Sequence, residues 1–225
     1  MRKSFLLCFV VVFFTSFLNA SEKRDFYISG KLGSSLISFD DSKYYSQIAG
    51  DQSSEYDRTH DDSNFLGTFS LGYRVNSLFR TELEYAYRSD FKYVKNPTNT
   101  GIANASQTSK IQTLMLQGFY DIDISSKFTP YLLVGLGLAH HDFDFYARTI
   151  PGGIVYSGNT SNTELAWNIG LGVSYPISEN IDLDLSYRYI SLGNAKWESH
   201  AVGDRGYGDA DFTSNEFLLG IRYSF

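Results

Sequence analysis

The last eleven residues of the chain, Asn215 to Phe225, read NEFLLGIRYSF and change character at every step. Asn215, Phe217, Leu219, Ile221, Tyr223 and Phe225 fall on one face, and Glu216, Leu218, Gly220, Arg222 and Ser224 on the other. A period of two is the strand period. A strand with one aromatic-rich apolar face and one face bearing Glu and Arg suits a wall between lipid and a polar interior. Its length matches the roughly 9–11 residues that a tilted membrane strand needs.

Segments of this kind recur from Asp25 onward. Phe26 to Phe39 sets Ile28, Leu32 and Leu36 against Ser29, Lys31, Gly33 and Ser35. Phe65 to Val75 sets Phe65, Phe69, Leu71, Tyr73 and Val75 against Thr68, Ser70, Gly72 and Arg74. A third sets Phe79, Thr81, Leu83, Tyr85 and Tyr87 against Arg80, Glu82, Glu84, Ala86 and Arg88. The fourth, Ser109 to Asp121, is less regular, with Leu114, Leu116, Gly118 and Tyr120 as its outward set. In the fifth, Pro130 to His141, the outward set is Leu132, Val134, Leu136 and Leu138, and in the sixth it is Leu165, Trp167, Ile169, Leu171, Val173 and Tyr175. The seventh opposes Ile181, Leu183, Leu185, Tyr187 and Tyr189 to Asp182, Asp184, Ser186 and Arg188, and the terminal strand is the eighth.

The connections alternate in length. Val75 to Leu78, Asp121 to Thr129 and Pro176 to Asn180 are short, whereas Asp40 to Asn64, Ser89 to Thr108, Asp142 to Asn162 and Ser191 to Thr213 are long and polar. Short turns at one end and long loops at the other describe an eight-stranded antiparallel up-and-down transmembrane β-barrel with four long extracellular loops and three short periplasmic turns. A soluble lipocalin-like barrel shares the strand count, but its apolar faces point inward. Alternation alone does not tell in from out.

The ends and the composition favour the membrane. Arg2 and Lys3 precede an apolar stretch from Phe5 to Leu18 and a small, polar exit at Asn19, Ala20 and Ser21, which reads as a signal peptide over residues 1–20, with 21–225 as the barrel domain. An uncleaved anchor helix is the alternative, and it falls short of the ~20 apolar residues that a span needs. Cys8 lies within this leader, so the expected mature chain has no thiol chemistry. Aromatics make up 16% of the chain although mean hydropathy is below zero, as two interfacial girdles around a polar lumen require. Net charge is −6, and −8 without the two leader bases, which disfavours nucleic acid as a partner.

FRTELEYAYR (79–88), LMLQGFYD (114–121), PYLLVGLG (130–137), WNIGLGVSY (167–175) and the terminal strand resemble the opacity-type and outer-membrane-protein-A-type eight-stranded barrels across the mature chain. The resemblance implies a monomer of the Gram-negative outer membrane, in contact with outer-membrane lipid and lipopolysaccharide. It also implies that Leu219, Ile221, Tyr223 and Phe225 form the C-terminal signal read by the barrel-assembly machinery. The family includes adhesins, structural proteins and small pores, so a surface role through the loops, with a host or matrix ligand as possible partner, is one expectation and a passive channel another.

With the apolar faces in lipid, the interior receives Lys31, Arg74, Arg80, Arg88, Arg188 and Arg222 together with Glu82, Glu84, Asp182, Asp184 and Glu216. Eight strands enclose a space that side chains fill, so these groups are expected to pair and plug the lumen; a selectivity filter is the alternative. Arg222 is expected to pair with Asp182 or Asp184, and Arg222→Ala to cost ~3–5 kcal/mol if the pair is desolvated. Gly135, Gly137, Gly170 and Gly172 leave room for larger neighbours. His140, His141, Asp142 and Asp144 sit where strand five emerges, and Ser191, Ser199, His200 and Asp204 lie in the last loop. A rim hydrolase built on a Ser–His–carboxylate set or a rim metal site is chemically conceivable, yet neither pattern is specific, and no catalytic residue, cofactor or metal is expected. Tyr44, Tyr45, Tyr56, Tyr93, Tyr146, Tyr156 and Tyr207, among Ser, Gly, Asn and Asp, resemble the composition of adaptable binding surfaces.

Overall fold

The computed structural model describes residues 25–46, 62–95, 102–149, 155–201 and 204–225. The expected leader and Tyr56 lie outside the described residues, as do the side chains of the other loop tyrosines and of Ser199, His200 and Asp204. Eight strands follow in order: β1 (Phe26–Ser46), β2 (Asp62–Arg74), β3 (Phe79–Lys95), β4 (Ile102–Asp121), β5 (Thr129–Thr149), β6 (Val155–Pro176), β7 (Ile181–Ala201) and β8 (Asp204–Ser224). Each pairs antiparallel with its neighbours, and β1 pairs with β8 to close the barrel. Closure is what lipid demands, because an unpaired strand edge there leaves N–H and C=O groups with nothing to bond.

The side chains settle which face is outside. Leu116, Leu136 and Leu165 are each more than 60% exposed, while Arg80, Arg88 and Arg188 are fully buried. A soluble barrel of the lipocalin type would have this reversed. Aromatic pairs ring the apolar belt at both heights. Near the tight turns Phe26 lies 4.9 Å from Tyr73, Phe79 5.3 Å from Tyr120 and Phe128 5.0 Å from Tyr175. At the other edge Trp167 meets Tyr189 at 5.7 Å and Tyr187 meets Phe217 at 5.0 Å. On β6 the belt runs from Tyr175 to Trp167, about 26 Å along the strand at ~3.3 Å per residue. A tilt of ~40° reduces that to a height near 20 Å, close to the roughly 25 Å apolar band of such barrels.

The polar stretches expected as loops are in large part strand. β5 continues past Leu138 to Thr149, β7 to Ala201 and β8 begins already at Asp204. Backbone pairing needs hydrogen-bonding partners, not apolar side chains, so the sheet persists after the lipid ends. Above the belt the alternation reverses sense. On β5 the outward positions become His140, Asp142 and Asp144, while Ala139, His141 and Phe143 are buried inside. The outer part of the barrel is thus a water-facing sheet around an apolar core, continuous with a lipid-facing sheet around a polar one. Shifts of register cluster at this boundary, between Asp40 and Lys43, Arg88 and Phe91, and Ser191 and Gly193. Bulges of this sort increase local twist and bend the strand.

Candidate functional site

The interior is filled in three storeys. Nearest the tight turns, Arg222 donates to Asp182 from Nε and Nη2 at 3.0 and 2.9 Å. Arg80 Nε bonds both oxygens of Asp121 at 2.9 and 3.0 Å, and its Nη1 reaches Glu82 at 3.2 Å. The Arg80 guanidinium is held between the rings of Phe119 and Tyr131, 4.1 and 4.6 Å from their centroids. That arrangement is a cation–π clamp on a fully buried guanidinium. Lys31 Nζ stands 2.9 Å from Asp184, which also accepts from the Tyr131 hydroxyl at 2.6 Å and from Ser174 at 3.1 Å. The Tyr27 hydroxyl donates to Glu82 at 3.0 Å.

The middle storey is a chain of alternating charge, Arg88–Glu216–Arg188–Glu84. Glu216 accepts from Arg88 Nε at 2.7 Å, Arg188 Nε at 2.6 Å and Ser35 at 3.2 Å. Arg188 Nη1 also bonds Glu84 at 2.5 Å, and Gln117 donates to the same carboxylate at 3.1 Å. These residues come from β1, β3, β4, β7 and β8, so the chain of bonds ties opposite walls together. Room for it comes from glycine: a Cβ at Gly172 would overlap the Tyr131 ring, and one at Gly72 the Tyr27 ring.

The third storey is mainly apolar. Ile37, Ile111, Met115, Ala139, Phe143, Ala166, Ile190, Leu192, Ala210 and Phe212 form one buried cluster above the ion pairs. A column of this kind offers no continuous polar path from end to end.

All eleven charged residues expected in the lumen face it. Of the two acids considered for Arg222, Asp182 takes it and Asp184 takes Lys31. The Arg222–Asp182 pair is shallower than a desolvated pair would be, since the Asp182 side chain is 21% exposed. One acid was missed. Asp121, buried at the end of β4, pairs with Arg80 and stands 3.8 Å from Arg74, and it brings the ion-paired luminal groups among the described residues to six bases and six acids. Its parity with Gln117 and Phe119 was the available signal. The apolar storey was also missed: Phe143, Leu192, Ala210 and Phe212 lie in stretches expected as loops, and its other members stand on inward faces at the outer ends of the expected strands.

The rim candidates separate. Adjacent residues on a strand point to opposite faces, so His140 is outside and His141 inside. His140 Nδ1 contacts Thr163 Oγ1 at 2.9 Å and its Nε2 lies 3.5 Å from Asp142. His141 is fully buried, and its Nε2 bonds the carbonyl of Leu192 at 2.9 Å. The two rings cannot share a metal. Among the described residues no three His, Cys, Asp or Glu side chains converge as a metal site.

Residues 5–225 match the model of the outer membrane protein beta-barrel domain. The chain belongs to that family. It is 30% identical to the outer membrane protein PagN of Salmonella typhimurium over the whole of both chains. It is 24% identical to a candidate adhesin of Rickettsia conorii, over 72% of this chain and 68% of that one. Among solved structures, Neisserial surface protein A superposes with a TM-score of 0.54 at 23% identity, covering 89% of this chain and 97% of its own. The Escherichia coli outer membrane protease OmpT superposes at 0.56 with 7% identity, covering 92% and 99%, a likeness of fold alone. The protein is an integral β-barrel of the Gram-negative outer membrane, with tight turns on the periplasmic side and long hairpins outside.

Proposed function

We propose that the protein is a non-conducting, non-catalytic scaffold that presents four strand-built hairpins to ligands on host cells or matrix. The observation that carries this reading is the filled lumen, with two storeys of ion pairs under an apolar one. A barrel so filled leaves its outward surface as the part free to act. The similarity to a candidate adhesin supports an adhesive role for that surface. The likeness to OmpT carries no chemistry here, and His140 with Thr163 and Asp142 reads as an ordinary cross-strand polar pair and its neighbour. In this reading the barrel works as a monomer among outer-membrane lipid and lipopolysaccharide, without cofactor, and residues 1–20 direct its export. Leu219, Ile221, Tyr223 and Phe225, all on the lipid face of β8, serve as the mark for the assembly machinery.

The test pairs two measurements. Purified barrel in planar bilayers is expected to show no steady conductance. Bacteria displaying it are expected to bind host cells or matrix proteins, and to lose binding as the hairpins are shortened one by one. Stable, ion-selective channels from the wild type would replace this reading with a small passive pore, and adhesion untouched by removal of all four hairpins would end the adhesive part of it.

A further inference from the structure

In the outer half of the barrel the register between β6 and β7 lapses. Ser157 pairs with His200 and Trp167 with Ser191, but between these points residues 158–166 and 192–199 have no register with each other. The lapse begins at Trp167, on the outer aromatic girdle, where the lipid ends and water can satisfy backbone groups. Two side-chain bonds cross it. Asn162 Nδ2 reaches the carbonyl of Lys196 at 3.4 Å, and His141, coming over β6 from β5, donates from Nε2 to the carbonyl of Leu192 at 2.9 Å. Leu192 abuts the bulge at Gly193, whose φ of 84° belongs to the left-handed region, and which marks the shift of register with β8. The ring of His141 is fully buried against Phe143 and Phe212, and its Nδ1 has no partner.

We infer that His141 is an acid-sensitive latch on this seam: it holds β7 against β6 while neutral, and releases the outer β6–β7 wall when protonated. Donation to Leu192 uses the Nε2 proton, which the imidazolium keeps, so protonation acts on the latch through the burial of its charge and not through loss of this donor. A second proton must go on Nδ1, which has no acceptor and lies among aromatic and aliphatic groups. The charged groups on the packed elements do not receive it. Arg88 of β3 and Glu216 of β8 are closed on each other at 2.7 Å. His140 and Asp142, the neighbours on β5, belong to the outward face. Glu164 of β6 is on the luminal face, opposite Ala139 rather than His141. The charged imidazole is therefore stable only after leaving the core. The latch is fully made above about pH 6.5 and weakens as pH falls through the ordinary range of a solvated histidine. With one proton taken up on opening, the ratio of open to closed seam rises about thirty-fold between pH 7.5 and 5.0.

Hydrogen exchange of the folded barrel in nanodiscs tests this, with protection factors corrected for intrinsic exchange. Peptides from 158–166 and 192–199 are expected to lose protection about thirty-fold from pH 7.5 to 5.0, with onset near pH 6.5. Peptides from 131–138, in the membrane band, are expected to stay unchanged. His141→Gln keeps an N–H for the Leu192 carbonyl but cannot titrate, and is expected to remove the dependence. Equal protection of the wild-type seam at both pH values would overturn the latch. So would the same loss in His141→Gln, or an onset near pH 4 in the wild type, which would point to carboxylates and needs no variant to read.

Discussion

Replacing Glu216 by Gln conserves shape and removes the charge on which the middle storey turns. Glu216 is completely buried and accepts from two guanidiniums at 2.7 and 2.6 Å. Without its charge Arg88 keeps only Thr113 at 3.4 Å, while Arg188 keeps Glu84. The storey passes from two bases and two acids to two bases and one acid, all of them buried. Breaking one partner of such a buried pair costs about 3–5 kcal/mol, and at ~1.4 kcal/mol per factor of ten the folded-to-unfolded ratio falls about a hundred-fold or more. Urea titration of the barrel in phospholipid vesicles, followed by the unheated-gel shift, measures it. The double variant Arg88→Met with Glu216→Gln restores balance around Arg188 and Glu84. It is expected to be more stable than the sum of its parts by at least ~1 kcal/mol, the coupling that neighbours in one network show. A single substitution costing under ~1 kcal/mol, or strict additivity in the double, would refute the view that charge balance in this storey holds the barrel.

Two further outcomes follow from depth. Arg222→Ala strips a pair whose acid is partly hydrated; the same urea titration is expected to give about 1–2 kcal/mol, between exposed and fully buried pairs, well below the cost at Glu216. Phe212→Ala opens a void in the apolar storey and is expected to cost about 3–5 kcal/mol, while planar-bilayer recordings stay silent because the ion pairs beneath it are intact.

The lipid-crossing part of this fold could be read from sequence because there one solvent imposes one rule. Each outward residue from Leu132 to Leu138 is apolar, and each charged residue of β3, β7 and β8 alternates with an apolar one, so the faces were assigned strand by strand. Above the belt the strand keeps its geometry while the solvent changes. Leu138 is followed on the same face by His140, Asp142 and Asp144, and the apolar partners move inside to Ala139 and Phe143. Averaged over a window, the two senses cancel and the stretch looks like loop. Bulges near Asp40, Arg88 and Ser191 blur the parity further. Asp121 escaped for a smaller reason: as the last residue of β4 it read as the start of a turn, and only the coordinates of Arg80 show what it bonds.

The reversal of faces bears directly on what the outer half can do. A loop of twenty polar residues would have to be ordered by whatever it bound, at about 0.5–1.5 kcal/mol for each rotamer-rich side chain immobilised. Here the backbone is already ordered by cross-strand pairing up to Thr149 on β5 and Ala201 on β7. The apolar storey fixes the luminal side of the same strands. Polar side chains such as Asp144 and Asn159, bonded across the β5–β6 pair at 2.5 Å, are therefore presented at set positions. A surface prepared in this way favours recognition over transport, since the core that stiffens the hairpins is the same core that closes the lumen. At the lapse of register between β6 and β7, stiffness rests on side chains rather than on the ladder. Any motion that remodels the hairpins for a ligand should begin there, and His141 sets the pH at which it can.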